Sequence, residues 1–278
     1  MRLLAISDLH LGAPANREAL AELGNHPEDW LLLAGDVAES FRRIGEGLAA
    51  LRRRFAKVVW VPGNHELWSV PGEDHGLRGR DRYTALVELA RAHDVLTPED
   101  PWPTWDGPGG PACIAPLFTL YDYSFAPAGM RPDQVVAWAA DADIQPVDEV
   151  LLHADPYPSR AAWCRARVAE AELRLDALPP GLPTVLVNHW PLREDLVHIP
   201  RIPRFAPWCG TRRTEGWAQR YRALACVHGH LHVRGRQWRD GIRFEEVSLG
   251  YPRQWEPARG MAPYLRQILP FLAEPRAR

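Results

Sequence analysis

The chain has almost no lysine: of its 33 basic residues only Lys57 is not an arginine. It has no surplus of charge either. Those 33 bases stand against 35 acids, a net charge of −2. No global positive field exists to hold a nucleic acid, so no nucleic-acid partner is expected. No apolar run approaches the ~20 residues that a membrane span needs, so no membrane partner is expected. Met1 to Ser7 contains one arginine and a four-residue apolar run, too short for the apolar region of a signal peptide. Cysteine is scarce: Cys113, Cys164, Cys209 and Cys226 form no C-x-x-C pair. That excludes a cysteine-based structural zinc site. The four read as reduced, buried thiols of a cytoplasmic protein.

What is present is core material and proline. The 278 residues are 46% hydrophobic and 24% charged, ordinary for a soluble globular protein. The 27 prolines are about double the usual ~5%. They predict long ordered loops rather than long helices.

Short apolar runs alternate with helical patterns in the first third. Strands are expected at Leu3 to Ile6, Trp30 to Ala34 and Val58 to Val61. Asn16 to Leu23, Glu39 to Phe55 and Arg82 to His93 read as helices, the second from Phe41, Ile44, Leu48, Leu51 and Phe55 on one face. Strand–helix alternation implies an α/β fold with a largely parallel sheet. Further strands are expected at Ala112 to Phe118, Thr184 to Val187 and Ala225 to Val227. A helix is expected from Arg160 to Leu178, and Val233 to Trp238 and Ile242 to Val247 should form a hairpin about Arg239-Asp240-Gly241. Residues 119–158 read as a cap-like insertion within one domain spanning residues 1–278.

Five polar clusters each begin where an apolar strand ends. They are Asp8-Leu9-His10, Gly35-Asp36, Gly63-Asn64-His65-Glu66, Asn188-His189 and His228-Gly229-His230-Leu231-His232. Any one alone would be an ordinary turn or a hydrogen-bonded loop histidine. In an α/β sheet, however, strand carboxyl ends lie along one edge, where ligands bind. Asp8, His10, Asp36, Asn64, His65, His189, His230 and His232 can therefore converge. Imidazole with carboxylate and amide oxygen suits manganese, iron, zinc, nickel or cobalt. Two ions about 3.5–4 Å apart would activate a water between them and bind phosphoryl oxygens.

These motifs resemble the five of the calcineurin-like metallophosphoesterase superfamily. The resemblance implies a β-sandwich flanked by helices, with a dinuclear metal site at strand carboxyl ends. It implies one ion on Asp8, His10, Asp36 and His232, and a second on Asp36, Asn64, His189 and His230, with Asp36 bridging. His65 would carry no metal and would face the leaving group or a phosphate oxygen. Manganese and iron are the first expectation for the ions. Glu66 stands where many relatives have aspartate.

A closer resemblance runs from about Leu4 to Leu265. It rests on Glu28-Asp29-Trp30-Leu31, Ala34-Gly35-Asp36-Val37-Ala38-Glu39, Arg52-Arg53-Arg54-Phe55-Ala56-Lys57, Tyr121-Asp122-Tyr123-Ser124-Phe125, Trp208-Cys209-Gly210-Thr211, Phe244-Glu245-Glu246-Val247-Ser248 and Gly250-Tyr251-Pro252. These are similar to the actinobacterial phosphopantetheinyl hydrolase group. By that resemblance the reaction releases 4′-phosphopantetheine from holo-acyl carrier protein. Carrier proteins are acidic, so Arg201, Arg204, Arg212 and Arg213 would steer one in. Tyr121, Tyr123, Phe125 and Trp208 would wall a groove for the pantetheine arm. The alternatives are a phosphodiesterase or phosphatase for nucleotides or other small phosphate esters, and an interaction scaffold that has lost catalysis. The complete ligand set, with His65 retained, weighs against the scaffold.

Overall fold

A computed structural model describes residues 1–72 and 76–271. Two sheets carry the chain. The first has the order β10-β1-β2-β3, from Arg266–Leu269, Leu3–Ile6, His26–Leu33 and Phe55–Trp60. Its β1, β2 and β3 run parallel, and β10 pairs with β1 antiparallel. The second has the order β4-β5-β6-β7-β9-β8, from Thr104–Trp105, Ala112–Pro116, Thr184–Val187, Ala223–His228, Ile242–Glu246 and Gly235–Arg239. Four central strands, β5, β6, β7 and β9, are parallel, and the edges β4 and β8 are antiparallel.

Alternation along the strands makes the sandwich. Leu3, Ala5, Leu32 and Val59 of the first sheet share one apolar cluster with Ile114, Val185, Val187 and Val227 of the second. Their neighbours Leu4, Ile6, Leu31, Leu33, Val58 and Trp60 belong to a second cluster with helix residues. Both faces of the parallel strands are covered, which is why these strands read as unbroken apolar runs.

The helices are α1 (Pro14–Ala21), α2 (Phe41–Arg52), α3 (Asn64–Leu67), α4 (Gly79–Ala92), α5 (Pro132–Ala140), α6 (Asp148–Leu151), α7 (Arg160–Asp176) and α8 (Trp217–Arg220). Ser40 caps α2 by accepting from the Arg43 N–H at 3.4 Å, and Ser159 caps α7 by accepting from Ala162 at 3.1 Å. Helix α2 stops short of the expected Phe55 because that residue begins β3. The β8–β9 hairpin turns on Asp240 and Gly241, with φ of 54° and 74°, the left-handed pair that a two-residue turn requires. Strands β4 and β10 and helices α3, α5, α6 and α8 lie outside the sequence expectation. The segment 119–158 packs Leu120, Tyr121, Val135, Ala139 and Leu152 into the same apolar cluster as the outer strand faces. Among the described residues no helix is long and apolar enough to cross a membrane.

The two sheets are joined at one end. Ser7, just past β1, donates its N–H to Val247 O at 3.1 Å, and Leu249 N–H donates to Ser7 O at 2.9 Å. This seam lies at the carboxyl ends of β1 and β9.

Candidate metal centre

All eight expected polar residues lie at that end. Asp8 and His10 follow β1, and Asp36 follows β2. Asn64 and His65 open α3 after β3, His189 follows β6, and His230 and His232 follow β7. The backbone is bent to aim them: Asp8, His10, Asp36, His230 and His232 have φ of 54°, 41°, 57°, 71° and 52°. A left-handed non-glycine residue costs on the order of 1–3 kcal/mol, and such residues cluster at functional sites. Two glycines make room for the carboxylates. A Cβ on Gly63 would lie 2.1 Å from Asp36 Oδ1, and one on Gly229 would lie 2.2 Å from Asp8 Oδ2.

The donor atoms form two groups. In the first, His232 Nε2 is 2.9 Å from Asp8 Oδ1 and 3.1 Å from His10 Nε2. In the second, Asn64 Oδ1, His189 Nε2 and His230 Nδ1 are mutually 3.2 Å apart. Asp36 Oδ2 lies 3.4 Å from His189 Nε2. Donor atoms of Asp36 come within 4.8 Å of those of Asp8 and His189, and of those of His10 and His65. Asp36 thus stands between the groups. Ligands on one ion with bonds of about 2.0–2.1 Å are separated by roughly 3 Å, so the spacings fit cation cradles.

The proton count says the same. His189 Nδ1 lies 2.8 Å from the carbonyl of Ala34 and must donate to it. In the neutral ring, Nε2 then presents a lone pair to the Asn64 oxygen. His232 Nδ1 donates to Gln254 Oε1 at 2.8 Å, an oxygen that also accepts from Tyr251 N–H at 2.7 Å. Its Nε2 lone pair then faces Asp8. Each imidazole needs either a second proton or a metal. Burial pulls both pKa values down, but the field and hydrogen bond of Asp36 lift His189 to about 10, and those of Asp8 lift His232 to about 9. Burial and the charge of neighbouring imidazoles hold His10 at about 4 and His230 at about 3. Burial pushes the Asp8 and Asp36 carboxyls up, yet the surrounding histidines leave both below the ordinary range.

Supporting groups lock this geometry. The Ser7 and Ser248 hydroxyls donate to Asp8 Oδ2 at 2.5 and 2.8 Å. Glu66 accepts from the backbone N–H groups of Asp36, Val37 and Gly63 at 2.9, 2.7 and 2.8 Å. Burial and the charge of Asp36 push the Glu66 carboxyl up to about 7. His65 Nδ1 donates to Glu39 Oε1 at 2.9 Å, and its Nε2 lies 3.8 Å from Asp36 Oδ2. Burial lowers the His65 pKa, but Asp36 and Glu39 more than offset it and the net shift is upward. The Tyr251 ring stacks on His10 at 4.2 Å. Glu39, Gln254 and Asp148, whose Oδ1 accepts from Asn64 Nδ2 at 2.9 Å, were not among the expected site residues. Glu39 lies three residues after Asp36 and was within reach of a spacing argument. Nothing local marks the other two.

The expected substrate-binding residues are placed differently. Tyr121 and Trp208 are fully buried, and Tyr123 and Phe125 nearly so. Tyr123 Oη and Trp208 Nε1 both donate to Glu149 Oε1 at 2.8 Å. Tyr123 and Trp208 thus pack around Glu149, which supplies the acceptor that a buried phenol or indole needs, while Phe125 packs with Cys209 and Leu231. Three of the four arginines already have partners in the chain. Arg212 pairs with Glu194 at 2.7 Å, Arg213 pairs with Asp122 at 3.3 Å, and Arg204 donates to the Trp138 carbonyl. Arg201 is exposed. The loop does touch the cradle, since the Phe205 ring stacks on His230 at 5.7 Å.

The calcineurin-like phosphoesterase family matches residues 1–234. Over 272 residues the chain is 49% identical to the acyl-carrier-protein phosphodiesterase PptH of Mycobacterium tuberculosis, covering 96% of this chain and 83% of that protein. The crystal structure of phosphopantetheinyl hydrolase (PptH) from Mycobacterium tuberculosis is similar with a TM-score of 0.92 at 48% identity, over 97% of this chain and 96% of that chain.

Proposed function

The chain belongs to the calcineurin-like phosphoesterase family, and on that premise we propose that it is a dinuclear phosphodiesterase releasing 4′-phosphopantetheine from holo-acyl carrier protein. The observation that carries the chemistry is the pair of donor groups meeting at Asp36, whose facing lone pairs need protons or cations. Asp8, His10 and His232 with Asp36 would hold one ion, and Asn64, His189 and His230 with Asp36 the other. Such ions supply an activated water and neutralise charge on phosphoryl oxygens. The mixed imidazole, carboxylate and amide donors favour manganese or iron, with zinc, nickel or cobalt as alternatives. The substrate is drawn from the likeness to PptH along nearly the whole chain.

The residues without a metal role complete the reaction. The bond that breaks joins phosphorus to the serine oxygen of the carrier protein. An alkoxide leaves poorly unless it is protonated. His65, whose pKa Asp36 and Glu39 raise and whose ring Glu39 orients, would give the proton on Nε2 to that oxygen. The four free, buried cysteines suit a reducing compartment, the cytoplasm.

Mass spectrometry of a holo-carrier protein incubated with the enzyme tests the reading. Conversion to the apo form, abolished by chelation and restored by manganese or iron, supports it. Hydrolysis of bis-p-nitrophenyl phosphate with no conversion of carrier protein would favour small phosphate esters. Failure on both substrates by the metal-loaded protein would favour the scaffold.

A further inference from the structure

Segment 119–158 reaches the cradle through one buried side chain. Asp148 Oδ1, at the start of α6, accepts from Asn64 Nδ2 at 2.9 Å and from Trp68 Nε1 at 2.7 Å. The other end of the Asn64 amide, Oδ1, lies 3.2 Å from both His189 Nε2 and His230 Nδ1. A carboxamide has two ends nearly equal in shape and opposite in polarity. Only the oxygen can ligate a cation, and half a turn about the last side-chain bond would present the NH₂ instead. An indole N–H can only donate, so Trp68 marks Asp148 Oδ1 as an acceptor. That acceptor takes the NH₂ of Asn64 and leaves its oxygen facing the imidazoles.

We propose that Asp148 is a positioning residue for the second metal ion: it sets the orientation of the Asn64 amide and draws electron density toward the ligating oxygen. The assignment rests on the dinuclear reading above. It also gives the aromatic and ionic network around α6 a purpose. Arg160, which opens α7, donates from Nη2 to the carbonyls of Asp148 and Glu149 at 2.8 and 2.9 Å. Its Nη1 pairs with Glu149 at 2.7 Å, and its Nε donates to Leu152 O at 2.7 Å. Tyr123 and Trp208 hold Glu149 from the other side. The turn carrying Asp148 is therefore held by the chain's own contacts, and through it the insertion contributes to the metal centre.

Loss of such a supporting group typically weakens metal affinity by about 10–100-fold. The test is cobalt(II) titration of metal-stripped protein, followed by calorimetry and visible absorption. The wild type should take up two ions. Asp148→Leu, which fills the space but cannot accept, should weaken the second step by about 10–100-fold and leave the first unchanged. Asp148→Asn, whose carbonyl can still accept from Asn64 and Trp68, should restore the second step. Asn64→Ala should lose that same step, and adding Asp148→Leu to it should cost nothing more. If Asp148→Leu does not fold, Asp148→Ala carries the same expectation. Two ions in the wild type with an unchanged second step in the variant overturns the assignment alone. So does equal weakening of both steps, or additive losses in the double variant. Fewer than two ions in the wild type overturns the dinuclear reading and the assignment together.

Discussion

In the cradle, eight polar side chains from five strand ends face one another, and their facing lone pairs need added protons or cations. In residues 198–214, three of four arginines face groups of the chain that already satisfy them. Both regions are polar loop in sequence. The difference teaches that a site is marked by unmet valence in a rigid frame. A local count of charges does not mark one. Asp36 and His189 are buried together and held by backbone contacts. Arg212 and Glu194 are partly exposed and cancel each other.

Removing the group that joins the two halves of the cradle should have the largest effect. Asp36→Ala should lower turnover by several orders of magnitude, more than the roughly 10²–10³-fold cost of one fixed charge-stabilising donor. It should also lower the metal content measured by elemental analysis. Two bound ions with near-normal turnover would contradict the bridging role.

His65→Ala comes next. It should slow cleavage of an alkyl ester such as holo-carrier protein by about 10²–10⁴-fold, the usual range for general acid catalysis. A p-nitrophenyl ester, whose leaving group needs no proton, should suffer much less, and metal content should stay constant. Equal losses in kcat for the two esters would assign His65 to a phosphate oxygen instead. Glu39→Gln removes one of the two carboxylates, with Asp36, that raise the His65 pKa. It should give a smaller loss of the same kind and move the alkaline limb of the rate profile to lower pH.

Crowding the cradle without changing its ligands should act through position. Gly229→Ala places a methyl group against Asp8 Oδ2. A displacement of about 1 Å in a catalytic group costs about 10²-fold, with the fold intact by circular dichroism. Wild-type activity in that variant would show that the frame yields more than its contacts suggest.

The protons on the cradle set a pH dependence. In the ion-free protein His189 and His232 hold protons below about 10 and about 9. Metal must displace them, so ion affinity should fall as pH falls, by about tenfold per pH unit for each proton displaced. Indicator-monitored proton release on cobalt(II) addition measures this, and uptake without release would contradict it.

The arginine loop should respond least. Arg201→Ala should raise KM for the carrier protein by roughly two- to five-fold, the scale of one exposed charge pair. It should leave the aryl diester unaffected. Arg212→Ala and Arg213→Ala should have less effect on KM, since their charges are already paired. A large KM effect from Arg212 would restore the loop to a docking role.

Much of the centre was legible because its information is local. Each ligand sits within four residues of a strand end, and strands of buried apolar residues announce themselves. The spacings Asp8–His10 and His230–His232 place two donors on one turn. The strands that escaped notice, Thr104–Trp105 and Arg266–Leu269, are short edge strands whose pairing supplies what their residues do not signal. Helix α6 is a four-residue turn with no periodicity to read.

The amino-acid order alone determined the α/β alternation and the donor types at five strand ends, and its five motifs carried the resemblance that implies metal-dependent phosphoester chemistry. Tertiary structure decided which polar groups remained available. Asn64 meets Asp148 across 84 positions, Arg213 meets Asp122 across 91, and Trp208 meets Glu149 across 59. A residue's type states what it can bind, but whether that capacity is spent inside the fold depends on neighbours far away in sequence. Ligand spacing on a turn is set by backbone geometry within a few bonds. The fate of an arginine or an aromatic is set only when the sheets and loops close around it.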